Sequence, residues 1–184
     1  MKHLFISPHL DDVMLSCYDY IAFLKGRSND IQVVTVFTDF GNGPLSLGAR
    51  MYLWQSGATN TAEFKNLRMK EDIKAMEMIG AKYHHLGFTD AYFRLNRAAQ
   101  ALSRFASLFG IGSRFLYPSR EDKFTGVIHK QDASLVDKIY RKIADFSKKA
   151  DFVYGPAAVG EHVDHILVHR ALRGLEKKMK KPVR

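Results

Sequence analysis

A single cysteine, Cys17, stands among the 184 residues, so no internal disulfide can form. A chain without disulfides suits a reducing compartment. No apolar run reaches the about 18 residues expected of a membrane-spanning helix. The amino terminus lacks the basic-then-apolar form of a signal peptide, and a cytoplasmic location is the expectation. Several fingerprints are missing as well: there is no Gly-x-Gly-x-x-Gly, no P-loop and no Gly-x-Ser-x-Gly nucleophile elbow. Their absence argues against dinucleotide-dependent, nucleoside-triphosphatase and elbow-serine chemistry. Acidic residues are outnumbered, 19 against 28 Lys and Arg, which leaves a net charge of +9. Such a surplus suits a nucleic acid, a membrane surface or an anionic substrate such as a nucleotide-linked or phospholipid-linked sugar. No DNA- or RNA-binding motif accompanies it, so nucleic acid is not an expected partner.

What is present is ordinary for a globular protein, with 46% hydrophobic and 26% charged residues. The length fits one domain over residues 1–184. Strands are predicted at His3–Ile6, Ile31–Thr38, Tyr83–Leu86 and in the apolar run Asp151–Gly155. Helical periodicity is predicted over Val13–Leu24, Glu63–Gly80, Ala133–Phe146 and Val163–Lys178. Asp132 is placed to cap the third of these. In the second, Leu67, Met69, Ile73, Met76 and Ile79 read as the core stripe. A basic apolar stretch, Arg97–Ser119, reads as a covering helix in preference to an interfacial one. Between Asp39 and about Thr61 lies a long Gly-, Ser- and Asn-rich loop, in which Tyr52 or Trp54 could wall a sugar pocket. Tyr117–His129 reads as a polar connection.

Two strand-to-helix turns carry the chemistry. Ser7-Pro8-His9-Leu10-Asp11-Asp12 follows the first strand, and Gly160-Glu161-His162-Val163-Asp164-His165 follows the last. In open α/β sheets such turns lie at the carboxyl ends of strands, where ligands bind. Together they offer imidazoles and carboxylates, the donor types of a catalytic zinc site that uses three protein ligands and keeps one position open. More donors are present than such a site needs; a surplus carboxylate can act as general base, and a surplus imidazole can protonate a leaving group or stabilise an oxyanion. Taken alone, Asp11 and Asp12 could merely cap a helix. Two histidines bracketing an aspartate directly after a strand favour the metal reading.

Those residues resemble the PIG-L/LmbE-like family of zinc-dependent N-deacetylases, in the order Pro-His-x-Asp-Asp and then His-x-Asp-His. A middle segment is similar too: Arg68-Met69-Lys70-Glu71, Ala75, Ile79-Gly80-Ala81 and Leu86-Gly87-Phe88-Thr89-Asp90. The fold implied is α/β, a Rossmann-like three-layer sandwich with a mainly parallel sheet flanked by helices. The resemblance implies that His9, Asp12 and His165 hold one Zn2+ ion and that Asp11 is the general base. His162 would stabilise the oxyanion or protonate the departing amine, and Asp164 would orient a neighbouring histidine, namely His162. Arg68 and Asp90 match positions near the family's substrate pocket, although a surface ion pair worth under about 1 kcal/mol would account for Arg68 and Glu71 alone.

The activity implied is removal of an N-acetyl group from an amino sugar or its conjugate, with a small-molecule or glycoconjugate substrate and with a homo-oligomer allowed. The alternative is a non-catalytic sugar-binding or regulatory protein that keeps the fold. Leu10, Val13, Ser16 and Cys17 depart from the commoner family pattern at the edge of the pocket. Family members continue past the late helix into further strands, whereas this sequence stops at Lys181-Pro182-Val183-Arg184, so a domain truncated at its C-terminus is expected.

Overall fold

The computed structural model describes residues 1–96, 114–179 and 182–184. Among them, four strands form one sheet: β1 (Lys2–Ser7), β2 (Asp30–Asp39), β3 (Lys82–Thr89) and β4 (Phe152–Tyr154). Their order is β3-β2-β1-β4, and every neighbouring pair is parallel. The α-helices among the described residues are α1 (Asp12–Lys25), α2 (Leu47–Gln55), α3 (Thr61–Met78), α4 (Arg120–Lys123), α5 (Ala133–Lys148) and α6 (Val163–Met179).

Side chains alternate across a strand, so each strand serves both faces of the sheet. Phe5 of β1 and Ile31 and Val33 of β2 pack with Val13, Ile21 and Leu24 of α1 and Met76 of α3. Leu4, Ile6, Val34 and Val36 point the other way, onto Ile139 and Ile143 of α5 and Leu167, Val168, Leu172 and Leu175 of α6. The result is an α/β architecture with helices on both faces of a parallel sheet. Full burial of each such side chain stabilises the fold by about 1.5–3 kcal/mol.

A third cluster sits at the carboxyl ends of the strands, where Leu10, Phe40, Ala49, Leu53, Phe64, Tyr92 and Phe93 pack together. The sheet order reverses direction at β1, which is followed in sequence by its neighbour on one side while β4 pairs on the other. The loops after β1 and β4 therefore diverge and leave a crevice between them.

Several expectations change. The long loop contains α2, because Ser46 accepts a hydrogen bond from Ala49 N at 3.1 Å and the i, i+4 pair Ala49 and Leu53 is buried. In α3 the inward column is Phe64, Asp72 and Met76, while Leu67 is exposed. Apolar periodicity missed this, because Asp72 faces inward to meet His85 Nε2 at 2.7 Å. Asp132 stands at the start of α5 without capping it, since its carboxylate accepts from Arg94 Nη1 at 2.7 Å. Residues 97–113 of the expected covering helix lie outside the described residues, and the helix does not reach Ser119: Phe115 pairs with Leu95 in an antiparallel bridge.

Gly155, which follows β4, has no room for a side chain, because a Cβ there would overlap Leu172 Cδ1 in the core of α6. Gly155→Ala is expected to cost about 1–3 kcal/mol, read from the urea midpoint. Adding Leu172→Ala removes the offending methyl, so the double variant should lose less than the sum of the single losses. Strict additivity would rule out the clash.

Candidate functional site

The turn after β1 is fixed by its own side chains. Ser7 Oγ donates to the His9 carbonyl at 2.7 Å, and the His9 N–H donates to Asp12 Oδ2 at 2.8 Å. This folds Asp12, the first residue of α1, back beneath His9. Asp12 Oδ2 then lies 3.1 Å from His9 Nδ1 and 3.2 Å from His165 Nε2. His9, Asp12 and His165 each offer a ligand atom within 4.8 Å of the others and could hold a metal ion.

The loop from β4 to α6 delivers the other histidines. It contains Ala158, Gly160 and Glu161, all with positive φ (60°, 85° and 58°). Left-handed backbone at two non-glycine positions persists only where surroundings impose it. It brings His162 against His9 and His165, with ring centroids 5.0 and 5.4 Å apart. His169, one turn further along α6, faces away and contacts the Pro156 carbonyl through Nδ1 at 3.0 Å.

Asp164 is fully buried, and its carboxylate engages His9 instead of the expected His162. Oδ2 lies 3.1 Å from His9 Nε2 and accepts from the Ala91 N–H at 3.0 Å, while Oδ1 accepts from Arg94 Nη2. Arg94 bridges Asp164 to Asp132. The hydrogen bond between residues 162 and 164 is made by the backbone of Asp164, whose N–H donates to His162 Nδ1 at 3.2 Å.

The electrostatics follow from this packing. Burial alone would lower the His9 pKa, but its hydrogen bonds to Asp12 and Asp164 and the charge of Asp90 override it and lift the value to about 10. Asp12 is held well below the usual carboxylate range despite burial, by His165 and His9. Burial, and then the nearby His9, Lys123 and His165, depress His162 to about 3, so it is neutral near pH 7. Asp90 is shifted upward by burial and by the charge of Asp164.

The remaining expected residues converge on the same place. Arg68 Nη2 donates to Asp11 Oδ2 at 2.7 Å, while Nη1 holds Glu71 at 2.8 Å. Asp90 Oδ2 lies 3.4 Å from His9 Nε2. Asp11, Asp12, His9, Asp90, His162 and His165 line a cavity of about 280 Å³. Its walls include Tyr52, Tyr92 and Phe124, whereas Trp54 is 78% exposed and takes no part.

Sequence reasoning missed Lys123, which also lines this cavity. The one signal for it was the capping box that starts α4, Ser119 with Asp122, a pattern too short to show periodicity. Sequence reasoning gave Arg94 no role either, although it neutralises the buried acid behind His9. No helix among the described residues is long and apolar enough to cross a membrane.

The chain is 33% identical over 174 residues to a 2'-N-acetylparomamine deacetylase of Streptomyces fradiae, covering 94% of this chain and 51% of that protein. A protein of the same name from Niallia circulans is 29% identical over 179 residues, covering 91% and 60%. The chain thus spans about half the length of the first of these curated relatives. Among solved structures, the deacetylase–teicoplanin complex of the teicoplanin biosynthesis pathway superposes with a TM-score of 0.81 at 25% identity, over all of this chain and 68% of that one. The model of the family described as "PIG-L: GlcNAc-PI de-N-acetylase" matches residues 4–175, and with that match the chain belongs to the PIG-L family.

Proposed function

We propose that this chain is a metal-dependent hydrolase that removes an N-acetyl group from an amino sugar or a sugar conjugate. The observation that carries the reading is the triangle of His9, Asp12 and His165 at the wall of a cavity that Asp11 and His162 share. The names of the relatives, deacetylases of 2'-N-acetylparomamine and of the teicoplanin pathway, support it.

Two imidazoles and one carboxylate form a donor set that suits Zn2+. A second grouping, His9, His162 and Asp164, is close enough to bind a metal as well, but Asp164 is sealed and already neutralised by Arg94. The first grouping is the better site, with Asp164 behind it orienting His9 through Nε2, as carboxylates do for metal-binding histidines. When bound, zinc supplies a Lewis acid that polarises the amide carbonyl and lowers the pKa of water to about 7.

The chain's own residues do the rest. Asp11, its oxygens positioned by Arg68, takes the proton of the attacking water and passes it to the departing amine. His162 accepts the Asp164 N–H at Nδ1, so in its neutral form the proton sits on Nε2. With a pKa of about 3 it has no spare proton for the amine, and it serves as a hydrogen-bond donor to the oxyanion. His162 is thus a neutral hydrogen-bond donor, and Asp11 is the group that shuttles the proton.

Elemental analysis beside an acetate-release assay on N-acetylated amino sugars tests the assignment. His165→Ala should lose the metal, whereas Asp11→Ala should keep about one zinc per chain and lose roughly 10²- to 10⁴-fold in turnover. Full activity in Asp11→Ala would remove the assigned base.

Metal uptake should also depend on pH. The folded pKa of His9 is raised, so its proton is held until the pH approaches about 10, and a metal must displace it. Protein stripped by a chelator should therefore bind zinc more tightly at pH 8 than at pH 6 and release protons as it does. Calorimetry in buffers of different ionisation enthalpy reads both effects, and pH-independent binding would contradict the protonated state of His9.

A further inference from the structure

We propose that Lys123 is a substrate-binding residue that donates to a neutral oxygen, hydroxyl or amide carbonyl, of the N-acetyl amino sugar. The proposal rests on the hydrolase reading above and adds the group that holds the sugar. Lys123 is only 6% exposed, yet it lines the cavity that holds His9, Asp11 and His162. Its Nζ lies 3.0 Å from the centroid of the Tyr92 ring, with the Tyr52 and Phe124 rings 6.0 and 5.7 Å away.

Among the described residues, the Lys123 ammonium makes no hydrogen bond to a protein group. Ring faces attract a cation, but they leave its three donors without oxygen partners. An ammonium held among rings at the cavity wall is poorly hydrated, so it is placed to take an acceptor that arrives from the cavity. Burial lowers the Lys123 pKa to about 8 against the pull of Asp90 and Asp164, with Arg120 and Arg94 opposing charge as well. An ammonium that is poorly solvated in this way gains more from a new oxygen partner than an exposed one.

The local backbone is built to hold it there. Ser119 N–H and Oγ both donate to Asp122 Oδ2, at 2.9 and 2.7 Å, and the Asp122 N–H returns a bond to Ser119 Oγ at 3.2 Å. Phe124, the next residue, stacks edgewise on His162 at 4.9 Å. Lys123 is thereby fixed relative to the imidazole that faces the reacting carbonyl.

The test compares zinc-loaded wild type with Lys123→Met and Lys123→Arg, each checked for fold by circular dichroism and for metal by elemental analysis. N-acetylglucosamine binding by calorimetry is measured apart from acetate release. Lys123→Met should weaken binding and raise KM by roughly 10- to 100-fold while kcat falls far less, and Lys123→Arg should recover part of the loss. If the Met variant does not fold, reductive methylation of the wild type decides: saturating sugar should protect Lys123 above other lysines, and unchanged labelling would overturn the assignment.

The outcomes separate the two readings. Sugar binding that needs Lys123, without acetate release, keeps the residue's role and removes the hydrolase. Acetate release with equal KM in wild type and Lys123→Met removes only the role of Lys123. Failure of wild type to bind any N-acetyl amino sugar overturns both.

Discussion

The contact between His9 and the buried carboxylate of Asp164 fixes the rest of the site. Taking a carboxylate fully out of water is expensive unless opposite charge and hydrogen bonds replace its hydration. Here Arg94, the Ala91 N–H and His9 share that task, and each lies on a different segment of the chain. The same contact turns the His9 ring so that Nδ1 faces Asp12 and, beyond it, His165. If Arg94 moved, an unpaired charge would remain in the core, and loss of His9 or of the Ala91 N–H would leave Oδ2 short of a partner. The cost of the buried acid therefore makes the arrangement of the donors specific.

This architecture also explains which parts of the site were legible in the sequence. His9, Asp11 and Asp12 lie in one strand-to-helix turn, and His162, Asp164 and His165 lie in another, so local spacing and residue type sufficed to single them out. The pairing between the turns was not legible. Asp164 is two residues from His162 in sequence, yet its side chain crosses to His9 because α6 aims it inward and Arg94 receives it there. Lys123 escaped for a related reason: a four-residue helix has no periodicity, and its burial depends on rings supplied by α2 and by the segment after β3.

For the fold, apolar runs and periodicity located the four strands and the long helices. They failed where a polar side chain faces inward with a partner of its own, as Asp72 does with His85 and Asp132 with Arg94. They failed again at α2, where Gly, Ser and Asn suggested a loop while Ser46 was in fact starting a helix. Polar residues near the strand ends form one connected layer, and single-residue rules applied to that layer misjudge it.

The central position of β1 bears on the order in which the site becomes available. His9 and Asp164 are 155 residues apart in sequence. At a synthesis rate of about 5–20 residues per second, His9 leaves the ribosome roughly 8–30 s before its partner does. During that interval β1 has its β2 neighbour but no β4, and the turn that carries His9 and Asp12 has no Asp164 to hold its imidazole. The cluster of His9, Asp12, His165 and Asp164 is therefore complete only after β4 has joined the sheet, a consequence of the central position of β1.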